Sequence, residues 1–138
     1  MLFRSREALE MLAENEKSVA ARIRQVVGAL RALVDGRRPE AIAAIQTIVS
    51  SDFRDAEGLY YLARQLAHAG AVEEAVAVLE RSTAAGFFCF PLLASDEWLD
   101  QIRHLPEFVA VLRRVKQEHD FAMAAFAAAG GDQILGTH

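Results

Sequence analysis

The stretch Leu59-Tyr60-Tyr61-Leu62-Ala63-Arg64-Gln65-Leu66-Ala67-His68-Ala69-Gly70-Ala71-Val72-Glu73-Glu74-Ala75-Val76-Ala77-Val78-Leu79 decides the fold. Leu59, Leu62 and Leu66 fall at i, i+3 and i+7, which is one apolar stripe of a helix. Gly70 ends that helix, and Ala75 with Leu79 starts the apolar pattern of a second. The same markers recur earlier at one constant interval: Gly36 before Gly70, Ala41 before Ala75, Ile45 before Leu79 and Phe53 before Phe87. That interval, about 34 residues, is the size of one helix–turn–helix unit. Two helices that cross closely need small residues where their axes approach, and Ala63 and Ala75 suit those places.

Leu59-x-x-Leu62-Ala63-x-x-Leu66, Gly70 and Ala75-x-x-x-Leu79 resemble the tetratricopeptide repeat, well over residues 56–87 and less closely over 22–55. The resemblance implies an all-α stack of antiparallel helix hairpins that binds other proteins. Repeats fall at about 22–55 and 56–89, with a degenerate third unit at 90–129 and a tail at 130–138, all in one domain of 138 residues. In the third unit, Phe87-Phe88-Cys89-Phe90-Pro91 and Asp96-x-Trp98-Leu99-x-x-Ile102 replace the usual signature. They look like the closing unit at the C-terminal end of tetratricopeptide regions in large bacterial regulators and kinases, with a long C-terminal capping helix. Glu7–Leu12 looks like the second helix of a preceding repeat, so the chain reads as the C-terminal piece of something longer.

Gly and Pro are scarce and stand between periodic segments, and no long alternation of period 2 marks a strand. The expected helices are at about 5–15, 18–35, 38–50, 55–69, 72–85, 90–95, 97–103 and 106–129. Ser5 and Ser18 are expected N-caps. Pro39 and Pro106 suit first helical turns, where a missing N–H costs nothing. Gly70 and Gly86 suit left-handed C-terminal caps, and residues 132–138 are expected to fray.

Residues 1–40 carry eight Lys/Arg against six Asp/Glu, and residues 41–138 carry seven against thirteen, giving the net charge of −4. An acidic chain without a basic stripe is a poor nucleic-acid binder. No apolar run approaches the roughly 18–20 residues that span a bilayer, and the charged start is unlike a secretory signal. With one cysteine, no internal disulfide forms. A cytoplasmic protein that binds neither nucleic acid nor membrane is expected.

No phosphate loop, metal-spaced Cys/His pair or nucleophile elbow is present. No catalytic residue, metal ligand or cofactor is therefore expected. Cys89, among three phenylalanines, is expected to be a buried, inert thiol. Phe87, Phe88, Phe90, Trp98 and Phe108 are expected to form a satellite core.

If Leu59, Leu62 and Leu66 face inward, then Glu57, Tyr60, Tyr61, Arg64 and His68 lie on the opposite face. In tetratricopeptide proteins that face lines the groove where peptides dock. The tyrosines would give contact area, Arg64 would hold a carboxylate, and His68 and Glu57 would adjust polarity. The other reading is an ordinary solvated face, or a structural spacer with no groove ligand. As an exposed residue, Arg64 would matter for binding and little for stability.

One repeat earlier, the same face is Ile23, Val26, Val27, Leu30 and Val34, all apolar. Either the helix slips so that Val27, Leu30 and Val34 turn inward, or the face is covered. Cover by the N-terminal helix, through Leu9, Met11 and Leu12, is the favoured expectation. A homodimer is the alternative.

Overall fold

A computed structural model describes residues 2–136, with the side chains of all of these except residues 2–6, 8, 9, 12, 13, 15, 16 and 18. The described residues are all-α and contain no strand. The helices are α1 (Leu2–Val34), α2 (Arg38–Val49), α3 (Ala56–Ala69), α4 (Val72–Ala84), α5 (Phe90–Ser95), a 3-10 helix (Glu97–Ile102), α6 (Pro106–Ala128) and α7 (Gly131–Leu135). They form two compact units, Met1–Phe53 and Arg54–His138.

The first unit is the hairpin of α1 and α2. Residues 2–34 form one continuous helix, not the two expected, so neither Ser5 nor Ser18 is an N-cap. No Gly or Pro interrupts residues 2–27, and the Ala, Glu, Leu and Arg there favour the helix. Ala29, Ala32 and Leu33 of α1 meet Ala41, Ile45 and Ile48 of α2 in a buried seam. Arg22 and Asp52 pair at 2.6 Å beside the end of α2.

The second unit is built on the hairpin of α3 and α4. Leu59, Leu62, Ala63 and Leu66 pack against Ala75, Leu79 and Ser82, all buried. The Ser82 hydroxyl donates to the Ala56 carbonyl at 2.7 Å, tying the last turn of α4 to the first of α3. The 3-10 helix packs on α3, and α6 packs on α4. Leu99, Ile102, Phe108 and Val115 complete the core, and Arg114 donates to the Thr83 hydroxyl at 2.6 Å. Pro39, Pro91 and Pro106 each stand in the first turn of their helix.

The repeat interval is visible bond for bond in the turns. After α1, Gly36 N donates to Leu33 O at 3.1 Å and Arg37 N to Ala32 O at 2.8 Å. After α3, Gly70 N donates to Ala67 O at 3.1 Å and Ala71 N to Leu66 O at 2.9 Å. Both glycines take the left-handed conformation, φ 78° and 92°, that this C-terminal motif requires. Gly86 closes α4 in the same way. The seam alanines Ala41 and Ala75 then occupy the same place in their helices, both fully buried.

Three further expectations are corrected. Cys89 is exposed, because it is the non-helical residue just before α5 and its side chain turns to solvent. The tail is not frayed from residue 132: Gly131–Leu135 forms α7. Gly131 is buried against the Phe126 ring, so close that a Cβ there would overlap it. Finally, the apolar face of residues 23–34 is neither slipped nor covered from the N-terminus. Ala29 and Ala32 are the inward residues, while Ile23, Val27, Leu30 and Val34 are exposed. Residues 5–15 belong to the same uninterrupted helix and cannot fold back over it. Met11 is exposed; the side chains of Leu9 and Leu12 lie outside the described residues.

Candidate functional site

Of the five residues expected on the outward face of α3, three are engaged by the chain's own third unit. Tyr60 is 1% exposed. Its ring stacks on Phe87 at 4.7 Å and 19°, and its hydroxyl donates to the Asp96 carboxylate. Arg64 Nε donates to Asp96 Oδ2 at 2.6 Å and Nη2 to Oδ1 at 3.1 Å. The Arg64 guanidinium also lies over the Trp98 ring at 4.6 Å, a cation–π contact. His68 stacks on that same indole at 4.3 Å and 14°.

The local sequence explains why Asp96 reaches this position. It is the N-cap of the 3-10 helix, accepting from Trp98 N at 3.0 Å. Arg103 donates to the carbonyls of Leu93 and Asp96 at 3.2 and 2.6 Å, fixing the chain between α5 and the 3-10 helix. The Asp96 side chain is 4% exposed. Burial pushes its carboxyl up, but the bonds from Arg64, Tyr60 and the Trp98 backbone together outweigh burial and hold it below the ordinary value of 3.8. For Tyr60, burial is the larger cause and the bond to Asp96 the next; both push the phenol above its ordinary 10.0.

The guanidinium therefore does grip a carboxylate, and that carboxylate lies 32 residues away in the same chain. Two sequence expectations are corrected accordingly. Tyr60 is a core residue and not a contact surface, and Arg64 supports the fold, with a side chain 28% exposed. His68 is half-buried against Trp98. Only Glu57 and Tyr61 of the five stay exposed; the Tyr61 hydroxyl donates to the Glu57 carboxylate at 3.2 Å. Phe108 is buried as a core ring, while Phe87, Phe88, Phe90 and Trp98 are half-buried. Sequence reasoning misses Asp96. Its signal is the capping residue before Glu97-Trp98, which identifies the cap and not the partner that the fold brings to it.

The apolar residues of α1 are in the opposite condition. Ile23 is 57% exposed, Val27 56% and Val34 74%. Val26 is half-buried and Leu30 lies at the margin of the hairpin. Val19, also exposed, extends the row. Residues 19, 23, 27, 30 and 34 are spaced by four, four, three and four, so they share one stripe. The stripe is displaced from the face bearing Ala29, Ala32 and Leu33, which packs on α2.

Among the described residues, no group of three or more His, Cys, Asp or Glu side chains is arranged to hold a metal ion. No described helix is long and apolar enough to cross a membrane. A groove of about 470 Å³ is lined by Val72, Val76, Ala77 and Leu105 together with Glu73, Glu80 and Glu107, an apolar floor with an acidic rim. Compared with protein-family models, curated proteins and solved structures, the chain finds no match.

Proposed function

We propose that this chain is a non-catalytic protein-interaction module of the tetratricopeptide kind, part of a larger bacterial regulator or assembly, that docks another protein chain on the apolar stripe of α1. The observation that carries this reading is the exposure of Ile23, Val27 and Val34 in one row. Three large β-branched side chains that stand in water on a regular helix lose hydrophobic free energy that a partner would recover, at about 25 cal/mol per Å² covered. A rigid helix with an apolar row is also the form in which helical partners are recognised.

The alternative surface, a peptide groove on α3, is the second reading. It keeps support from Tyr61 and Glu57, which remain exposed. Against it stands the pairing of Arg64 and Tyr60 with Asp96, which occupies the groups that would have gripped an acidic peptide.

Site-specific photo-crosslinking of the full-length chain in cells tests both. A photoreactive residue at position 27 should capture a protein, and one at position 61 should not. Capture at 61 alone would support the peptide groove. Capture at neither position would leave the module a structural spacer and end the proposal.

A further inference from the structure

Helix α1 is much longer than its partner, with 33 residues against the 12 of α2. At roughly 1.5 Å of rise per residue they extend about 50 Å and about 18 Å. The Arg22–Asp52 pair, just beyond the end of α2, marks where the hairpin stops. Among the described residues of this unit, residues 2–21 therefore run on as a helical arm with no second helix beside them. Most helical stability in proteins comes from tertiary packing of one face, and no second helix among the described residues of this unit supplies it there. The arm and the stripe pose the same question of what lies alongside α1.

The charge sequence answers it. Residues 7–16 contain Glu7, Glu10, Glu14 and Glu16 and no Lys or Arg. Residues 17–31 contain Lys17, Arg22, Arg24 and Arg31 and no Asp or Glu. Including the rest of the hairpin does not reverse this: residues 17–53 hold six Lys/Arg against three Asp/Glu. An acidic segment of the arm, residues 7–16, preceded by Arg4 and Arg6, thus continues into a basic hairpin along one helix. Two such helices side by side in parallel would set four glutamates against four and cations against cations. Turned end for end, the acidic segment of each arm lies along the basic, apolar-striped half of the other.

We infer that α1 pairs antiparallel with α1 of a second copy, the two-fold axis passing near Val19, so that each arm covers the partner's apolar stripe at residues 23–34. With the axis there, residues 7–16 run beside residues 22–31 of the other copy. The contact is isologous, the same patch used twice, so it closes at two copies and does not propagate. Electrostatic complementarity sets the orientation, and the apolar stripe supplies the affinity. This inference rests on the docking reading of the stripe and names its occupant.

The test uses the full chain in two measurements. Sedimentation equilibrium should show a dimer in the wild type and a monomer in Ile23→Asp/Val27→Asp, with the urea unfolding of the second unit unchanged. The dimer dissociation constant should rise several-fold as salt increases from about 50 mM to about 500 mM, because opposite charges are screened. In a Cys89→Ser background, a spin label at Arg31→Cys should report a distance of roughly 36 Å between copies, from about 24 residues of helix rise. A parallel pair would place the labels within about 20 Å, near the roughly 8–10 Å spacing of packed helices, and its dimer would tighten with salt. A wild-type monomer, a dimer indifferent to the two aspartates, or a short label distance would each overturn the inference. A monomer that still crosslinks a different protein at position 27 would overturn it too, while leaving the docking reading standing.

Discussion

Arg64 and Asp96 meet in a two-point ion pair, 2.6 Å through Nε and 3.1 Å through Nη2, that joins α3 to the 3-10 helix. The carboxylate is buried and the guanidinium mostly so. The pair therefore lies out of reach of most of the water that makes surface ion pairs nearly neutral. Tyr60 donates to the same carboxylate, and both Arg64 and His68 pack on the Trp98 ring. This side of α3 works as an internal surface.

Tyr60→Phe removes the hydroxyl that donates to Asp96 while keeping the ring stacked on Phe87. Losing a hydrogen bond to a buried charge should destabilise the protein by about 1–3 kcal/mol. The midpoint of urea unfolding should fall with an unchanged slope.

The cluster also predicts a pH profile of stability. The Asp96 carboxyl lies below its ordinary 3.8 in the fold, so its contribution is fully present above about pH 4 and is lost as the solution falls through the folded value. The Tyr60 phenol lies above its ordinary 10.0, so its contribution is present below about pH 10 and is lost at higher pH. Thermal unfolding should give a plateau with an acid limb that Asp96→Asn flattens and an alkaline limb that Tyr60→Phe flattens.

Ala41 and Ala75 are both fully buried in their hairpin seams. Replacing either with Leu should overpack the crossing and cost about 1–3 kcal/mol. Similar losses at the two positions, measured by urea unfolding, would show that the seams are equivalent. A cost at only one would separate them.

Gly70 has a φ of 92° and only a distant neighbour, the Gln101 side chain at 3.9 Å. Gly70→Ala should cost about 1–2 kcal/mol from the left-handed backbone alone, with no steric addition. Thermal unfolding would detect a loss of that size.

Much of this architecture is legible in the sequence, and the parts that are not share a cause. The repeat interval anticipates the turns at Gly36 and Gly70 and the small residues Ala41 and Ala75, because those features depend on neighbours within a few positions. The continuity of α1 is hidden because Ser18 is a good cap residue, whereas a cap forms only where the preceding backbone leaves the helix. The role of Arg64 is hidden because its partner is distant in the chain. Helix periodicity tells which side a residue faces but not what the rest of the chain brings there. Cys89 is exposed although its neighbours in sequence are apolar, because it stands outside the helix just before α5. The exposed stripe on α1, by contrast, stands in the sequence as an apolar face, and the fold leaves it open.

A double-mutant cycle on Arg64 and Asp96 tests most directly whether the α3 face is internal. Arg64→Ala alone should cost about 2–4 kcal/mol, because it leaves a buried carboxylate without its cation. Asp96→Ala should cost a similar amount. The double variant should cost less than the sum of the two, with a coupling of about 1–3 kcal/mol by urea unfolding. Losses that add to within about 0.5 kcal/mol, or an Arg64→Ala variant as stable as the wild type, would show that the guanidinium faces solvent and return α3 to the role of an open groove.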